Sequence, residues 1–491
     1  MSESEATLLM PKPMSLFSRQ SNCFATPHAK DDILHKKSEH FKKIFGVSDD
    51  QLREITEKFV DVLRDGLQHD ERTVPMLPTF VFGWPTGKEK GDFLALDLGG
   101  TNLRVCIVKL MGDGKFEITQ SKVRLSDEQK REDGSKLFDF CAKCVKEFVE
   151  KHFSKEQLQE PLSLGFTFSY PVVQKAIDHG ELIRWTKGFG NANTEGHDCA
   201  AMLSESLERH KVPVKLSSII NDTTGTLIAS NYVEPTTKIA CIFGTGCNAA
   251  YMDHIRDIPK IAHLKLPADE DMAINCEYGA FDSFDHKYMR AVRTKYDDYI
   301  DQHSNKPGEQ AYEKMTAGLY LGEIFRLVLC DLVDEGVLFL GQQTYKIEKP
   351  FSFDTAFLSL IETDPTEELL TVMGLFKYFF GLETEIEERL FFRDLSCAIG
   401  TRSARLSACG ISAIVKKMGY LDQGCTVGCD GSLYSKYPHF ADRLHDAIIA
   451  VLGPDGKKIR TRQAEDGSGA GSAVIAAMTK ARKEAGKYQH V

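Results

Sequence analysis

A single carboxylate at the end of an apolar run, followed by two glycines and two small polar residues, can hold a phosphorylated ligand. The chain carries this set at Phe93-Leu-Ala-Leu-Asp-Leu-Gly-Gly-Thr-Asn-Leu-Arg-Val105. Asp97 closes the apolar stretch. Gly99 and Gly100 allow a turn with positive φ or close backbone approach, Thr101 and Asn102 are polar, and Leu103 to Leu110 reads as a returning strand. Backbone N–H groups bared by such a turn can face an anion, and the carboxylate can hold a metal ion directly or through water. Taken alone, the stretch can also be read as an ordinary hairpin, so its meaning depends on its companions. A second glycine turn, Gly244-Thr-Gly246, follows an apolar strand from Lys238, and Asn248 to Asp253 returns. Gly428-Cys-Asp-Gly-Ser-Leu433 offers a third backbone contact for an anion or a ribose.

Between the hairpins lies Ser218-Ile-Ile-Asn-Asp-Thr-Thr-Gly225, where a strand ends at Ile220 and a helix starts after Asp222. Asp222 is either a simple N-cap or a general base at the junction of two lobes. The roles are compatible, because a helix N-terminus stabilises the anion. Leu164-Gly-Phe-Thr-Phe-Ser-Tyr-Pro171 alternates like a strand ending at Ser169, and Arg184-Trp-Thr-Lys-Gly-Phe-Gly190 places Lys187 in a glycine-containing loop, able to balance phosphate charge. Glu277 stands at the end of an apolar strand, and Glu313 opens a long amphipathic helix. With Ser169, Thr186, Asn221 and Asn248 these carboxylates make an acceptor-rich pocket suited to a polyhydroxylated ligand.

The elements that must position these groups alternate between strand and helix. Helical periodicity begins near Asp31 and recurs from Ser48, an N-cap, to Leu67; Pro75, Pro78 and Pro85 mark an irregular connector. Strands follow at Phe93, Leu103 and Phe116–Thr119, then a helix over 135–152, a strand over 162–168, a helix over 199–210 and a strand over 214–220. The pattern restarts at Lys238 and closes with a strand near Ile459 and a helix over 469–486. Two hairpin-led series imply an internal duplication: two α/β lobes facing across a cleft that can clamp one nucleotide triphosphate.

Bulk properties narrow the function classes. The 491 residues, 42% hydrophobic, suffice for several domains. A net charge of −10 without a long basic run argues against nucleic acid as a partner. Thirteen scattered cysteines suit free thiols in a reducing compartment, and the Cys141/Cys144 and Cys425/Cys429 pairs lack a second pair at zinc spacing. No signal peptide or membrane-spanning run is evident, so a cytosolic location is expected. Gly83 to Lys88 is one residue short of a Walker A loop, and the glycines of Glu465 to Gly471 do not fit dinucleotide spacing.

The chain closely resembles the hexokinase family, in the single-unit, fungal-type form. The match is carried by Leu96-Asp-Leu-Gly-Gly-Thr-Asn-Leu-Arg104, Leu164 to Pro171, Trp185-Thr-Lys-Gly-Phe189, Ile220-Asn-Asp-Thr223, Phe243-Gly-Thr-Gly246, Asn275-Cys-Glu-Tyr-Gly279 and Asp430-Gly-Ser432, in order from about residue 32 to about 485. The resemblance implies an α/β fold of two ribonuclease-H-like lobes with an interlobe cleft, as in actin, heat-shock ATPases and sugar kinases. The expected division is a tail over 1–31, a helical segment of the large lobe over 32–79, the small lobe over 80–222, the large lobe over 223–467, and a C-terminal helix over 468–485 packing on the small lobe. The implied reaction is ATP-dependent phosphorylation of the 6-hydroxyl of glucose and similar hexoses, the first step of glycolysis. Asp222 would be the base, with Lys187 beside it. Ser169, Thr186, Lys187, Asn221, Asp222, Asn248, Glu277, Gln310 and Glu313 would hold the sugar. Asp97, Gly99, Gly100, Thr101, Asn102, Arg104, Gly244, Thr245, Gly246, Gly431 and Ser432 would surround ATP. Mg²⁺ would bridge the phosphates and meet Asp97 through water. A monomer or homodimer acting on small molecules, without a membrane, is implied. The sequence departs from the family at Glu309-Gln310, where Gln-Gln is usual; a Glu309 facing the pocket would add a third carboxylate there. A kinase for another sugar, such as an N-acetylhexosamine, stays open.

Overall fold

The structure, a computed structural model, describes residues 27–154, 156–185 and 188–487. Among the described residues thirteen strands form two large sheets and one small ribbon: β1 (Leu77–Phe82), β2 (Lys90–Leu98), β3 (Asn102–Gly112), β4 (Lys115–Arg124), β5 (Leu162–Phe168), β6 (Val172–Val173), β7 (Glu181–Leu182), β8 (Val214–Ile220), β9 (Thr237–Phe243), β10 (Cys247–His254), β11 (Asp271–Asn275), β12 (Cys425–Asp430) and β13 (Ile459–Gln463). The five-stranded sheet runs β4-β3-β2-β5-β8, and the six-stranded sheet runs β1-β11-β10-β9-β12-β13. In each, the first two pairings of the repeat are antiparallel and the last two parallel. Apart from the edge strand β1 the two sheets are topological copies, the duplication expected from the paired hairpins.

β1 occupies part of the stretch expected to be an irregular connector, and it crosses the expected boundary at residue 80. Its Pro78 pairs with Ile274 in an antiparallel ladder that is bulged before Phe82. A proline without an N–H is compatible with a strand at a sheet edge, which is where β1 lies. Ahead of it, the first helix, Pro27–Phe45, starts earlier than the periodicity suggested, with proline in its first turn, and the part of the expected tail before Pro27 lies outside the described residues. Ser48 caps the second helix, Asp49–Gln68, through a capping box with Gln51.

Side-chain alternation along β2 and β3 separates two cores. Leu94, Leu96, Leu98, Leu103 and Val105 face the helices Gly134–His152 and Cys199–Arg209 in the small lobe. Phe93, Ala95, Cys106, Val108 and Leu110 face the other way, into the core shared with the C-terminal helix, Gly467–Glu484, and the large lobe. Burial on both faces explains why these strands read as continuous apolar runs.

The two halves exchange helices. The helix Asp222–Val233 follows β8 of the first sheet but packs on β9, β10 and β12 of the second. Gly467–Glu484 follows β13 of the second sheet but packs on β2, β5 and β8 of the first. They cross where glycines permit contact: a Cβ at Gly471 would lie 2.0 Å from the Gly225 carbonyl oxygen, and one at Gly225 would lie 2.8 Å from that of Gly467.

Candidate functional site

The helix exchange brings both hairpins, both parallel strand ends and both helix starts to one cleft. Ser169 follows β5, and Asn221 and Asp222 follow β8; β5 and β8 are parallel neighbours with Thr167 opposite Ile220, so these groups share one sheet edge. Open α/β sheets present ligand sites at such carboxyl ends. Asn221, not Asp222, is the N-cap, its side chain accepting a hydrogen bond from the Thr223 N–H at 2.9 Å. The capping alternative for Asp222 is thereby corrected. Its carboxylate, half-buried in the first helical turn, accepts a bond from the Thr223 hydroxyl at 3.1 Å.

Near Asp222 gathers an acidic group that, among the described residues, surrounds Arg104. Arg104, paired in register with Asp97 across the first hairpin, reaches Asp97 at 3.3 Å, Asp466 at 2.6 Å and the Ser468 hydroxyl at 2.5 Å. Ser468 donates to Asp97 at 2.8 Å. Burial pushes Asp97 above the ordinary carboxylate range; Arg104 and Ser468 oppose this, while the charges of Asp222 and Asp466 add to it. Burial raises Asp430 too, with Asp222 and Asp466 again contributing. Asp222 therefore stands within electrostatic reach of Asp97 from the small lobe and Asp430 from the large one.

The glycine turns differ from the expected geometry. Gly99 does not take positive φ, and a Cβ there would meet nothing nearer than the Asn102 oxygen at 3.6 Å. At the second turn the glycine leaves room for a carboxylate: a Cβ at Gly246 would lie 2.6 Å from Glu313 Oε2. Gly431 has φ +105° and approaches Phe243, a Cβ there lying 2.4 Å from its carbonyl oxygen. Thr101, Asn102, Thr245 and Ser432 are exposed at the tips, with Gly99 and Gly100 half-buried behind them and Gly244 buried against Gly431.

On the large-lobe side, Asn248, Asn275 and Glu277 lock together. Asn248 Nδ2 donates to Asn275 Oδ1 at 2.7 Å and to Glu277 Oε1 at 3.1 Å, and Asn275 Nδ2 donates to the same Oε1 at 2.8 Å. Asn248 Oδ1 accepts the Glu277 N–H at 2.9 Å. Glu277 sits in the left-handed region, φ 51°, as does Gln310, φ 55°. Residues other than glycine hold that conformation only where their surroundings enforce it, a common feature of functional sites. Glu313 accepts the Cys247 N–H at 2.9 Å and the Gln310 amide at 3.4 Å. Glu309 is not an unpaired third carboxylate; it meets Arg184 at 2.8 Å.

Thr186 and Lys187 lie outside the described residues. Reading the sequence for site residues missed Asn275, Asp466 and Ser468. The Asp-Gly-Ser at 466–468 repeats that at 430–432, a signal that could have drawn it into the site. Among the described residues no three His, Cys, Asp or Glu side chains are grouped to hold a metal ion, every cysteine is a free thiol, and no helix is long and apolar enough to cross a membrane.

Two family models, both described as hexokinase, match residues 37–232 and 238–478. The hexokinase of Emericella nidulans is 48% identical over 453 residues, 91% of each chain. Hexokinase-2 of Saccharomyces cerevisiae is 45% identical over 463 residues, 92% of this chain and 94% of the other. Among solved structures, a hexokinase from Schistosoma mansoni complexed with glucose superposes with a TM-score of 0.82 at 34% identity, covering 91% of this chain and 99% of that one. Fold, site and relatives together define an enzyme, a sugar kinase of the two-lobed type. The chain belongs to the hexokinase family, and its relatives place it with the fungal members.

Proposed function

We propose that the enzyme transfers the terminal phosphoryl group of ATP to the 6-hydroxyl of glucose, and of related hexoses such as fructose and mannose, the first step of glycolysis. The reading extends to a cytosolic monomer or homodimer. The observation that carries it is the position of Asp222: it follows β8 at the sheet edge shared with Ser169, Asn221 does the capping in its place, and its charge is felt by Asp97 of one lobe and Asp430 of the other.

Asn248, Glu277, Gln310 and Glu313 would fix the sugar by charge-assisted hydrogen bonds, with Ser169, Thr186, Lys187 and Asn221 closing from the small lobe. Thr101, Asn102, Arg104, Thr245, Gly431 and Ser432 would line the phosphates and ribose. When bound with the nucleotide, Mg²⁺ would supply charge neutralisation of the phosphates, held by Asp97 through water. Asp222 accepts the hydroxyl proton. A modest base suffices, because in a loose phosphoryl-transfer transition state the proton leaves late. Water also carries a hydroxyl, so an always-closed site would hydrolyse ATP; closure driven by sugar contacts ties assembly of the site to the correct acceptor.

The test is ATP consumption in a coupled assay against glucose, fructose, mannose, N-acetylglucosamine and buffer alone. Turnover dependent on glucose is expected. A rate unchanged without sugar, or one supported only by the N-acetylhexosamine, would overturn the proposal.

A further inference from the structure

Arg184 and Glu309 belong to different lobes. Arg184 precedes Trp185, which is fixed in the small-lobe core, its Nε1 donating to Thr194 and to the Asn191 carbonyl. Glu309 lies on the large-lobe loop that leads into Gln310 and Glu313. That loop is anchored from below: buried Asp301 accepts the Gly308 N–H at 3.0 Å and the Lys314 ammonium at 2.6 Å, and Lys314 also binds the Lys306 carbonyl. Both ends of the 2.8 Å Arg184–Glu309 pair therefore rest on rigid supports, and the pair spans the cleft one residue from Gln310. Arg184 Nε is buried without a hydrogen-bond partner among the described residues, and Glu309 meets the guanidinium at Nη1.

We infer that Arg184 and Glu309 form a latch across the cleft that holds the lobes together over the bound sugar. The inference rests on the assignment of Gln310 and Glu313 to the sugar. An ion pair made only when the lobes approach favours the closed arrangement over the open one, and so slows escape of sugar without touching the reacting atoms. Arg184 and Glu309 are positioning residues. Partly exposed pairs contribute modestly, so the latch changes sugar affinity roughly 2- to 5-fold. Salt screens such a pair, the Debye length falling from about 8 Å at physiological ionic strength to about 3 Å at 1 M.

The experiment is calorimetric titration of the full chain with glucose, alongside KM and kcat, for Arg184→Gln, Glu309→Gln, the double variant, and the charge swap Arg184→Glu/Glu309→Arg. Each single variant should weaken glucose binding and raise KM about 2- to 5-fold with kcat little changed. The double variant should match the singles instead of compounding them, and the swap should recover most of the loss. Wild-type affinity should fall toward that of Glu309→Gln as salt rises, while the variant stays flat. Unchanged affinity in the singles, additive losses in the double, or a swap no better than the singles overturns the latch. Glu277→Ala serves as the control: if it loses glucose binding while Glu309→Gln does not, the latch alone fails, and if neither loses it, the sugar-site reading fails.

Discussion

Asn275 gives the sharpest test of how the sugar side is built. It is buried and touches no reacting group, yet its amide lies nearer to Glu277 Oε1 than that of Asn248, at 2.8 Å against 3.1 Å. Asn275→Ala removes one hydrogen bond to a charged acceptor, an interaction contributing about 1.5–3 kcal/mol. It also removes the 2.7 Å acceptor of Asn248, so the amide that remains must serve Glu277 alone. Glu277 holds a left-handed backbone at φ 51°, a conformation costing on the order of 1 kcal/mol or more, and loosening its side chain weakens what enforces it. Since about 1.4 kcal/mol is tenfold in affinity, KM for glucose should rise about 10- to 100-fold. The kcat of the saturated enzyme should fall less than about threefold, because uniform binding and not the transition state has been altered. Initial rates over a glucose series at saturating ATP measure both quantities, with a thermal melt to confirm folding. A folded Asn275→Ala enzyme with the wild-type KM would refute the reasoning.

Asp222→Ala should lower kcat by at least about 100-fold while leaving glucose affinity by titration nearly unchanged; normal turnover rules out the base role. Gly471→Ala drives a methyl group into the Gly225 carbonyl, 2.0 Å away, and should cost about 1–3 kcal/mol or more, read as a lowered Tm; an unchanged melt would contradict the tight crossing. Asp97→Asn should weaken use of ATP yet stabilise the ligand-free protein at about pH 8. With its folded pKa raised above the unfolded value, Asp97 binds more protons in the folded state, so wild-type stability declines as pH rises through that interval and stays lower above it. The advantage of the variant should shrink as pH is lowered toward the carboxylate range near 4, and melts across that span would expose a gap that fails to narrow.

The hairpins, the parallel strands and the junction at Asp222 were legible because each has a short-range signature: an apolar run, a carboxylate or glycine at its end, a return. Less visible were elements whose signal is tertiary. The helix Ile386–Met418 is buried on nearly all sides, from Phe391 and Leu395 through Arg402, Leu406 and Ile414, so it has no polar face to set a period. β1 was obscured by prolines that an edge position tolerates. Gly246 was legible as a turn, but what a side chain there would displace is the carboxylate of Glu313, which folding brings from 67 residues away, position 313 less position 246, against that glycine. Asn275 was missed because its role is to orient a neighbour, and nothing local marks such a residue. The two carboxylate-bearing segments at 430 and 466 meet Arg104 and Asp222 only through the fold.

The exchanged helices bear on how the chain reaches its native state. The five-stranded sheet is complete by Ile220, yet one of its faces waits for Gly467–Glu484, the last helix described. During synthesis that face stays uncovered until Gly467–Glu484 has emerged, and a chain stopped short of residue 467 leaves it bare. Domains that fold as they are made do so without help from residues still to be added. Here a sheet made early depends on a helix made much later, so termination ahead of residue 467 should yield an aggregating product and not a weakened enzyme.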